Sequence, residues 1–508
     1  MSDTTDSASL RRRLGLIAGP LAFFILLLIP TPEGMSADGQ KVAAIAALMA
    51  IWWVTEAIPI PATSLLPIAL FPTLKIMSAA DATAPFANHL IFLFMGGFMI
   101  AIAMQRWNLH RRIALLIIKL IGFSPSRLVL GFMVATAVLS AFVSNTATAV
   151  MMMPIGVAII SQATEEIAAL KIDVPEKAMN AFGINLMLGI AYAASIGGIA
   201  TIIGTPPNTV LANYLQSTYG YEITFGKWLM VGGPLVIIFI PLTWLWLTKV
   251  ANSMKGLELP NSDGIIKDEL AKLGGLSKGE RYTLIVFVLT AVAWIVRGFL
   301  NDLLPPEIYE HISFVSDSTI AMAGAIALFC IPVDLKKCEF VLTWEAAAKL
   351  PWGVLVLFGG GLSLAAGFKE SGLSAWTIDQ VSFLQGMPVI VLIFGLCLLV
   401  TFLTELTSNT ATTNLLMPVL GGVAIGLGES PLLLLAPAAI SASCAFMLPV
   451  ATPPNAIVFG SGRLTIPDMM KSGFALNVMG VFLVTTLVYF ILVPVFGIVI
   501  GELPEWVK

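Results

Sequence analysis

Apolar runs of bilayer-crossing length follow one another along almost the whole chain. Residues 14–29, 229–248, 282–296 and 474–500 are four of them, and a membrane helix needs about 17–25 such residues. The runs are continuous rather than alternating, which predicts helices and not the strands of a barrel. About eleven spans are expected on this length criterion, beside segments too short or too interrupted to cross. Two interruptions have the same form. Ser144-Asn145-Thr146 separates the short apolar arms 128–143 and 147–160, and Ser408-Asn409-Thr410 separates 388–403 from 411–427. Short arms meeting at a polar tip predict a re-entrant helix hairpin, since irregular backbone at membrane depth survives only where protein or a wet cavity surrounds it. Thr205-Pro206-Pro207-Asn208 and Thr452-Pro453-Pro454-Asn455 each interrupt an apolar stretch. Paired prolines remove backbone donors and clash with the preceding turn, so each is expected to unwind a helix.

The paired motifs are part of a longer repeat. Ser144 and Ser408 stand 264 positions apart, and the same offset aligns Pro154 with Pro418, Phe94 with Phe358, and Gly96-Gly97 with Gly360-Gly361. The proline motifs are offset by 247, so the second copy is the shorter between its two motifs. Charge places the copies in opposite orientations. Arg106, Arg111 and Arg112 follow the first Gly-Gly helix, whereas the aligned positions from Glu370 to Trp376 carry no cation. Cationic loops stay in the cytoplasm. Lys249, Lys255, Lys267, Lys272, Lys278 and Arg281 mark residues 249–281 as cytoplasmic, while 299–318 is acidic, has no Lys or Arg, and is read as external. The expected plan is therefore an all-α membrane protein in two inverted-topology repeats with two re-entrant hairpins. Residues 1–40 form a cytoplasmic amino terminus and a first helix. The first repeat is 41–250, with scaffold helices at 41–121 and a hairpin and broken helix at 126–217. A cytoplasmic linker at 251–280 carries a short surface helix near 266–273. The second repeat is 281–500, with scaffold helices at 281–385 and a hairpin and broken helix at 388–462.

Composition narrows the function class. Of 508 residues, 58% are hydrophobic and only 11% charged, against roughly 25% charged in a soluble domain; the mean hydropathy is +0.93. The chain needs a lipid bilayer, and nothing in it marks a nucleic-acid surface. Cys330, Cys338, Cys397 and Cys444 lack metal-ligand spacing, and His89, His110 and His311 are scattered. No His-Glu-x-x-His pair or marked nucleophile–base pair supports an intramembrane enzyme. Arg11-Arg12-Arg13 precedes the first apolar run without a small-residue cleavage site after it, so a retained first helix with its amino terminus in the cytoplasm of an inner or plasma membrane is expected.

The polar tips carry the candidate chemistry. The first turn of a hairpin's second arm exposes N–H groups suited to an anion, and the end of its first arm exposes carbonyls suited to a cation. Ser, Thr and Asn side chains add donors and acceptors without charge. Such residues also hold membrane helices together, but two copies at matched positions favour a binding site. No Lys or Arg lies within either tip or broken helix. A dianion there needs co-bound cations, because charge at mid-membrane is costly. Glu56 and Glu405 are the acidic residues expected in apolar surroundings; a cation or proton role and a hydrogen-bonded structural role both remain open for them.

At these paired Ser-Asn-Thr and Thr-Pro-Pro-Asn motifs, and at Thr55-Glu56-Ala57-Ile58-Pro59-Ile60-Pro61, the sequence resembles the divalent anion/sodium symporter family, which includes the INDY-type sodium–dicarboxylate cotransporters. The resemblance covers essentially the whole chain. It implies a homodimer in which a transport domain moves as an elevator against a scaffold, taking up C4-dicarboxylates such as succinate, fumarate and malate with Na⁺. It implies substrate contacts from Ser144, Asn145, Thr146, Thr205, Ser408, Asn409, Thr410, Thr452 and Pro453. One implied Na⁺ site maps to Ser140, Ser144, Asn145 and Gly204, the other to Thr404, Asn409 and Ala451. A sodium-independent exchanger of the same fold is the alternative reading, and an anion channel, which needs no paired hairpins, is a third.

Overall fold

The computed structural model describes residues 2–170, 175–259, 262–380 and 386–507; the last five residues of the scaffold segment expected at 281–385 lie outside them. The chain is built of helices. Helix α1 (Ser2–Leu28) packs on α2 (Ala37–Thr55), and Trp52 Nε1 donates to Gly15 O at 3.1 Å. Prolines 59, 61, 67 and 72 then allow only the short helices Ile60–Thr63 and Leu66–Thr73. Next come α3 (His89–Arg106) and the surface-lying α4 (Leu109–Ile121). The first hairpin is α5 (Pro125–Ser140) and α6 (Asn145–Ala169), and the first broken helix is α7 (Glu176–Gly198) and α8 (Pro206–Tyr219). Helix α9 (Phe225–Leu245) runs to the linker helix α10 (Ser262–Leu273). The second half repeats the order: α11 (Lys278–Arg297), α12 (Asp317–Cys330), α13 (Trp352–Glu370), α14 (Leu373–Gln380), α15 (Val389–Leu403), α16 (Asn409–Gly426), α17 (Leu432–Ser441), α18 (Pro453–Phe459) and α19 (Ile466–Leu487).

Seven helices among the described residues are long and apolar enough to cross a membrane by length and composition, and five more are apolar but shorter. The apolar window of α7 is 94% buried and that of α11 only 33%, so α7 is a central helix and α11 leaves much of its apolar surface uncovered by the rest of the chain. Between such helices lipid supplies no hydrophobic drive, and close packing by small residues replaces it. Two glycines at the 264 offset show this. A Cβ on Gly96 would stand 2.7 Å from the backbone of Ala321, and one on Gly360 would stand 2.2 Å from Ser64 O. Two residues before them, Phe94 and Phe358 meet edge to face with ring centres 5.2 Å apart. The aligned positions of the two halves thus touch one another.

The hairpins interlock with the broken helices. Helix α5 lies along α7 and α15 along α17, while α6 packs on α18 and α16 on α8. Each hairpin therefore contacts the first part of its own half's broken helix and the second part of the other's. This crossing packs the second arm of each hairpin against the other half.

An all-helical chain was expected, and the structure departs from that once: Pro332–Asp334 and Glu339–Phe340 form a two-stranded antiparallel pair. The turn between the strands carries Lys336 and Lys337, which keeps this edge solvated. The linker helix is α10, longer than the expected 266–273. It docks on α4, with Glu269 paired to Arg111. Beside it Arg112 forks onto Glu280 at 2.8 and 3.2 Å.

Candidate substrate and cation site

The first tip is a cluster of oxygens. Ser140, at the end of α5, has its hydroxyl 2.5 Å from Asn145 Oδ1 and 2.7 Å from Ala194 O. A hydroxyl has one proton, so it satisfies only one of them. Turning the Asn145 amide would place its nitrogen 2.5, 3.1 and 3.2 Å from Ser140 Oγ, Ala194 O and Gly204 O. Two glycines let these oxygens converge: a Cβ on Gly198 would stand 2.7 Å from Asn145 Oδ1, and one on Gly204 would stand 2.4 Å from Gly198 O.

The second tip reproduces the arrangement. Thr404 Oγ1 lies 2.6 Å from Asn409 Oδ1 and 3.1 Å from Ala442 O, again one proton between two acceptors. Ala451 is buried in the same unwound segment, but the carbonyl hydrogen-bonded to Thr404 is that of Ala442. The expected groups Ser140, Asn145 and Gly204, and Thr404 and Asn409, are thus brought together.

The expected anion-facing residues sit at helix starts. Ser144 caps α6 and accepts from Ala147 N at 3.2 Å; Thr146 beside it is exposed. Ser408 caps α16 with its hydroxyl free of a cap bond, and Thr410 is half-buried in its first turn. Thr205 and Thr452 cap α8 and α18 with nearly the same backbone, φ −139° with ψ 140° and φ −139° with ψ 150°. Thr205 Oγ1 lies 3.4 Å from Ser443 Oγ, so the first broken helix touches the unwound part of the second. Pro453 is exposed. Thr205 and Ser443, where the two halves meet, are uncharged. The small closed cavity between Asn213, Tyr214, Gly361 and Asn414 is a different place; at about 10 Å³ it has room for about one water and none for a dicarboxylate.

Two contributors lay beyond the sequence reading. Asn208 and Asn455, the last residues of the proline motifs, clamp the unwound segments. Asn208 Nδ2 donates to Ile199 O at 3.1 Å and Thr201 O at 2.8 Å, and Asn455 Nδ2 to Ala445 O at 3.2 Å and Leu448 O at 3.0 Å. Their recurrence in both motifs was the available signal. Glu405 is buried, as expected, and is fully engaged. It accepts from the N–H groups of Phe446, Met447 and Leu448 at 2.7, 2.9 and 3.0 Å and from Asn477 Nδ2 at 2.7 Å. That is a structural carboxylate holding the unwound segment to the second tip. Glu56 departs from expectation: it caps α2 at a left-handed φ of 51°, is 40% exposed, and faces Arg11 and Arg12 at 3.7 and 3.6 Å. Arg11 also reaches Leu406 O, two residues before the second tip, at 3.5 Å.

Helices of spanning length around broken helices with clustered oxygens define a membrane transporter rather than an enzyme. Residues 11–497 match the model of the sodium:sulfate symporter transmembrane region, and the chain belongs to that family of divalent anion/sodium symporters. It is 45% identical over 486 residues to the sodium-dependent dicarboxylate transporter SdcS of Staphylococcus saprophyticus, covering 96% of this chain and 92% of that one. It is 46% identical over 490 residues to the protein of the same name from Staphylococcus aureus strain USA300, covering 96% and 93%. Two solved structures share the fold: the Alcanivorax borkumensis YdaH transporter, with TM-score 0.54, 14% identity and coverage of 89% and 98%, and Neisseria gonorrhoeae MtrF, with TM-score 0.54, 11% identity and coverage of 95% of each chain.

Proposed function

We propose that this protein couples Na⁺ entry to uptake of C4-dicarboxylates such as succinate, fumarate and malate across the cell membrane. The observation that carries the reading is the pair of matched oxygen clusters, Ser140/Asn145/Ala194/Gly204 and Thr404/Asn409/Ala442, each with one hydroxyl set between an Asn side chain and a backbone carbonyl at the end of a hairpin's first arm. Na⁺ at each would use neutral oxygens only and would leave positive charge beside the first turns of α6 and α16. A dianion bound by Ser144, Asn145 and Thr146 and by Ser408, Asn409 and Thr410, with Thr205, Thr452 and Pro453 at its edge, then meets N–H groups, hydroxyls and two cations. Ser144 and Ala451 complete the two Na⁺ shells in this reading. The sodium dependence and dicarboxylate substrate named for the staphylococcal relatives support the same assignment.

In this reading the two halves are inverted repeats. The hairpins and broken helices, 126–217 and 388–462, move as one body against scaffold segments 41–121 and 281–385 of a homodimer, with the amino terminus in the cytoplasm. Alternating access then follows from exchanging the repeats' conformations. The test is uptake of labelled succinate into proteoliposomes. An inward Na⁺ gradient should drive accumulation, a K⁺ gradient should not, and Asn145→Ala and Asn409→Ala should each abolish it. Counterflow that proceeds equally well without Na⁺ would favour the sodium-independent exchanger instead.

A further inference from the structure

One offset relates two scaffold helix ends to two loops. Ser36 and Ser277 cap α2 and α11, 241 positions apart, and the buried Trp53 and Trp294 follow at the same spacing. At that spacing Glu56, which ends α2, aligns with Arg297, which ends α11. Thr224 and Thr465 cap α9 and α19, also 241 apart. Two residues before each, Glu222 aligns with Arg463. Each of these loops leaves a broken helix, α8 or α18. The four positions therefore make two equivalent pairs, each joining a scaffold end to a loop that follows a broken helix. The signs of charge are exchanged between them: base on scaffold and acid on loop at 297/222, acid on scaffold and base on loop at 56/463.

The structure closes one pair and leaves the other open. Arg297 forks onto Glu222 at 2.9 and 3.2 Å, on the side read as external. Glu56 instead faces Arg11 and Arg12, and Arg463 donates to Ser161 Oγ at 3.3 Å. Each scaffold charge also has a partner that does not depend on the loop. Arg297 keeps Asp317 at 3.1 Å, and Glu56 keeps the two amino-terminal arginines. Neither scaffold charge is stranded when its latch opens, which is what a reversible contact requires, because an uncompensated buried charge is strongly unfavourable.

We infer that Arg297–Glu222 and Glu56–Arg463 are alternating latches: the external pair holds the state described here, and the cytoplasmic pair forms when the repeats exchange conformations and the external one parts. The inference rests on the alternating-access reading above and adds the contacts that set the balance between its two states. A population shift requires a contact made in one state and not in the other, and each pair supplies one.

The test uses the full-length protein in membrane vesicles with Cys330 and Cys338, the exposed cysteines, replaced by serine. Glu222→Cys with Arg297→Cys, and Glu56→Cys with Arg463→Cys, are treated with a short reducible bifunctional thiol reagent. Each pair should cross-link, and each cross-link should stop succinate uptake until reduced. In a variant carrying all four cysteines, any one molecule should hold one cross-link or the other. An inner pair that never cross-links, or molecules holding both links together, would overturn the latches, and this readout needs no substrate. Charge reversal on the loop alone gives an independent arm, because it leaves Glu56 with Arg11 and Arg12. Arg463→Glu should lower uptake about threefold, and Arg463→Lys, which keeps the charge, should stay within about 1.5-fold of the unmodified protein. Arg463→Glu present in the membrane at normal abundance with uptake unchanged would also refute the proposal. Absence of Na⁺-driven uptake in the unmodified protein refutes the transport reading itself and leaves the cross-linking result interpretable.

Discussion

Glu405 and Asn145 illustrate opposite ways in which a side chain serves a membrane-embedded site. Glu405 carries a formal charge and spends all its acceptor capacity on three consecutive backbone N–H groups and one amide. Glutamine there would set an NH₂ group among donors. Glu405→Gln should lower stability by about 1–3 kcal/mol and weaken Na⁺-dependent binding with it, read by thermal unfolding in detergent with and without NaCl. Unchanged stability would mean that the unwound segment does not depend on the carboxylate. Asn145 is neutral and gathers Ser140 Oγ, Ala194 O and Gly204 O around its side chain, the uncharged oxygen set that the proposed cation would use. The sequence located both residues beside the tips, but their roles differed in legibility. Asn145 recurs as Asn409, so repetition marked it. Glu405 aligns with Ala141, and its partners lie 41 to 72 positions away, so only the fold could show what it holds.

At the scale of elements, the polar knots and paired prolines located the breaks well, because each disrupts helix hydrogen bonding locally. The hairpin arms expected at 128–143 and 388–403 are Pro125–Ser140 and Val389–Leu403. The second arm expected at 147–160 runs instead from Asn145 to Ala169: the polar residues Ser161, Gln162, Glu165 and Glu166 end the apolar run but not the helix. The charge contrast between aligned loops makes a topology prediction. Single cysteines at Asn108 and Gly372 should label from opposite faces of intact cells with an impermeant reagent, Gly372→Cys from outside; equal labelling would remove the inverted plan. The linker helix α10 makes a pH prediction. The Glu269 carboxyl is held below its ordinary range, first by its hydrogen bond to Lys272 and further by Arg111. A lowered folded-state pKa stabilises docking above the ordinary glutamate value, and that contribution is lost as pH falls through the lowered value. Protection of the α10 amides, taken relative to the intrinsic exchange rate at each pH, should be high at neutral pH and fall below about pH 4, and Glu269→Gln should bring the low protection to neutral pH. Protection independent of both would show that apolar packing alone holds the helix.

For the whole molecule, each hairpin interlocks with the other half's broken helix, so in the proposed reading ligands at the two tips act on one packed unit. The central claim is that Na⁺ supplies the charge that makes a dicarboxylate tolerable among neutral groups. A symmetric homodimer is expected around this unit, C₂ being the commonest closed symmetry; a mass measurement in mild detergent that found only monomer would contradict it. The most direct test of the central claim is succinate binding by calorimetry in NaCl and in choline chloride at equal ionic strength, with Na⁺ affinity measured in turn with and without succinate. Na⁺ should tighten succinate binding, and by linkage succinate should tighten Na⁺ binding by the same factor, an ordinary coupling being about 1–3 kcal/mol. Equal succinate affinity in the two salts would contradict the account.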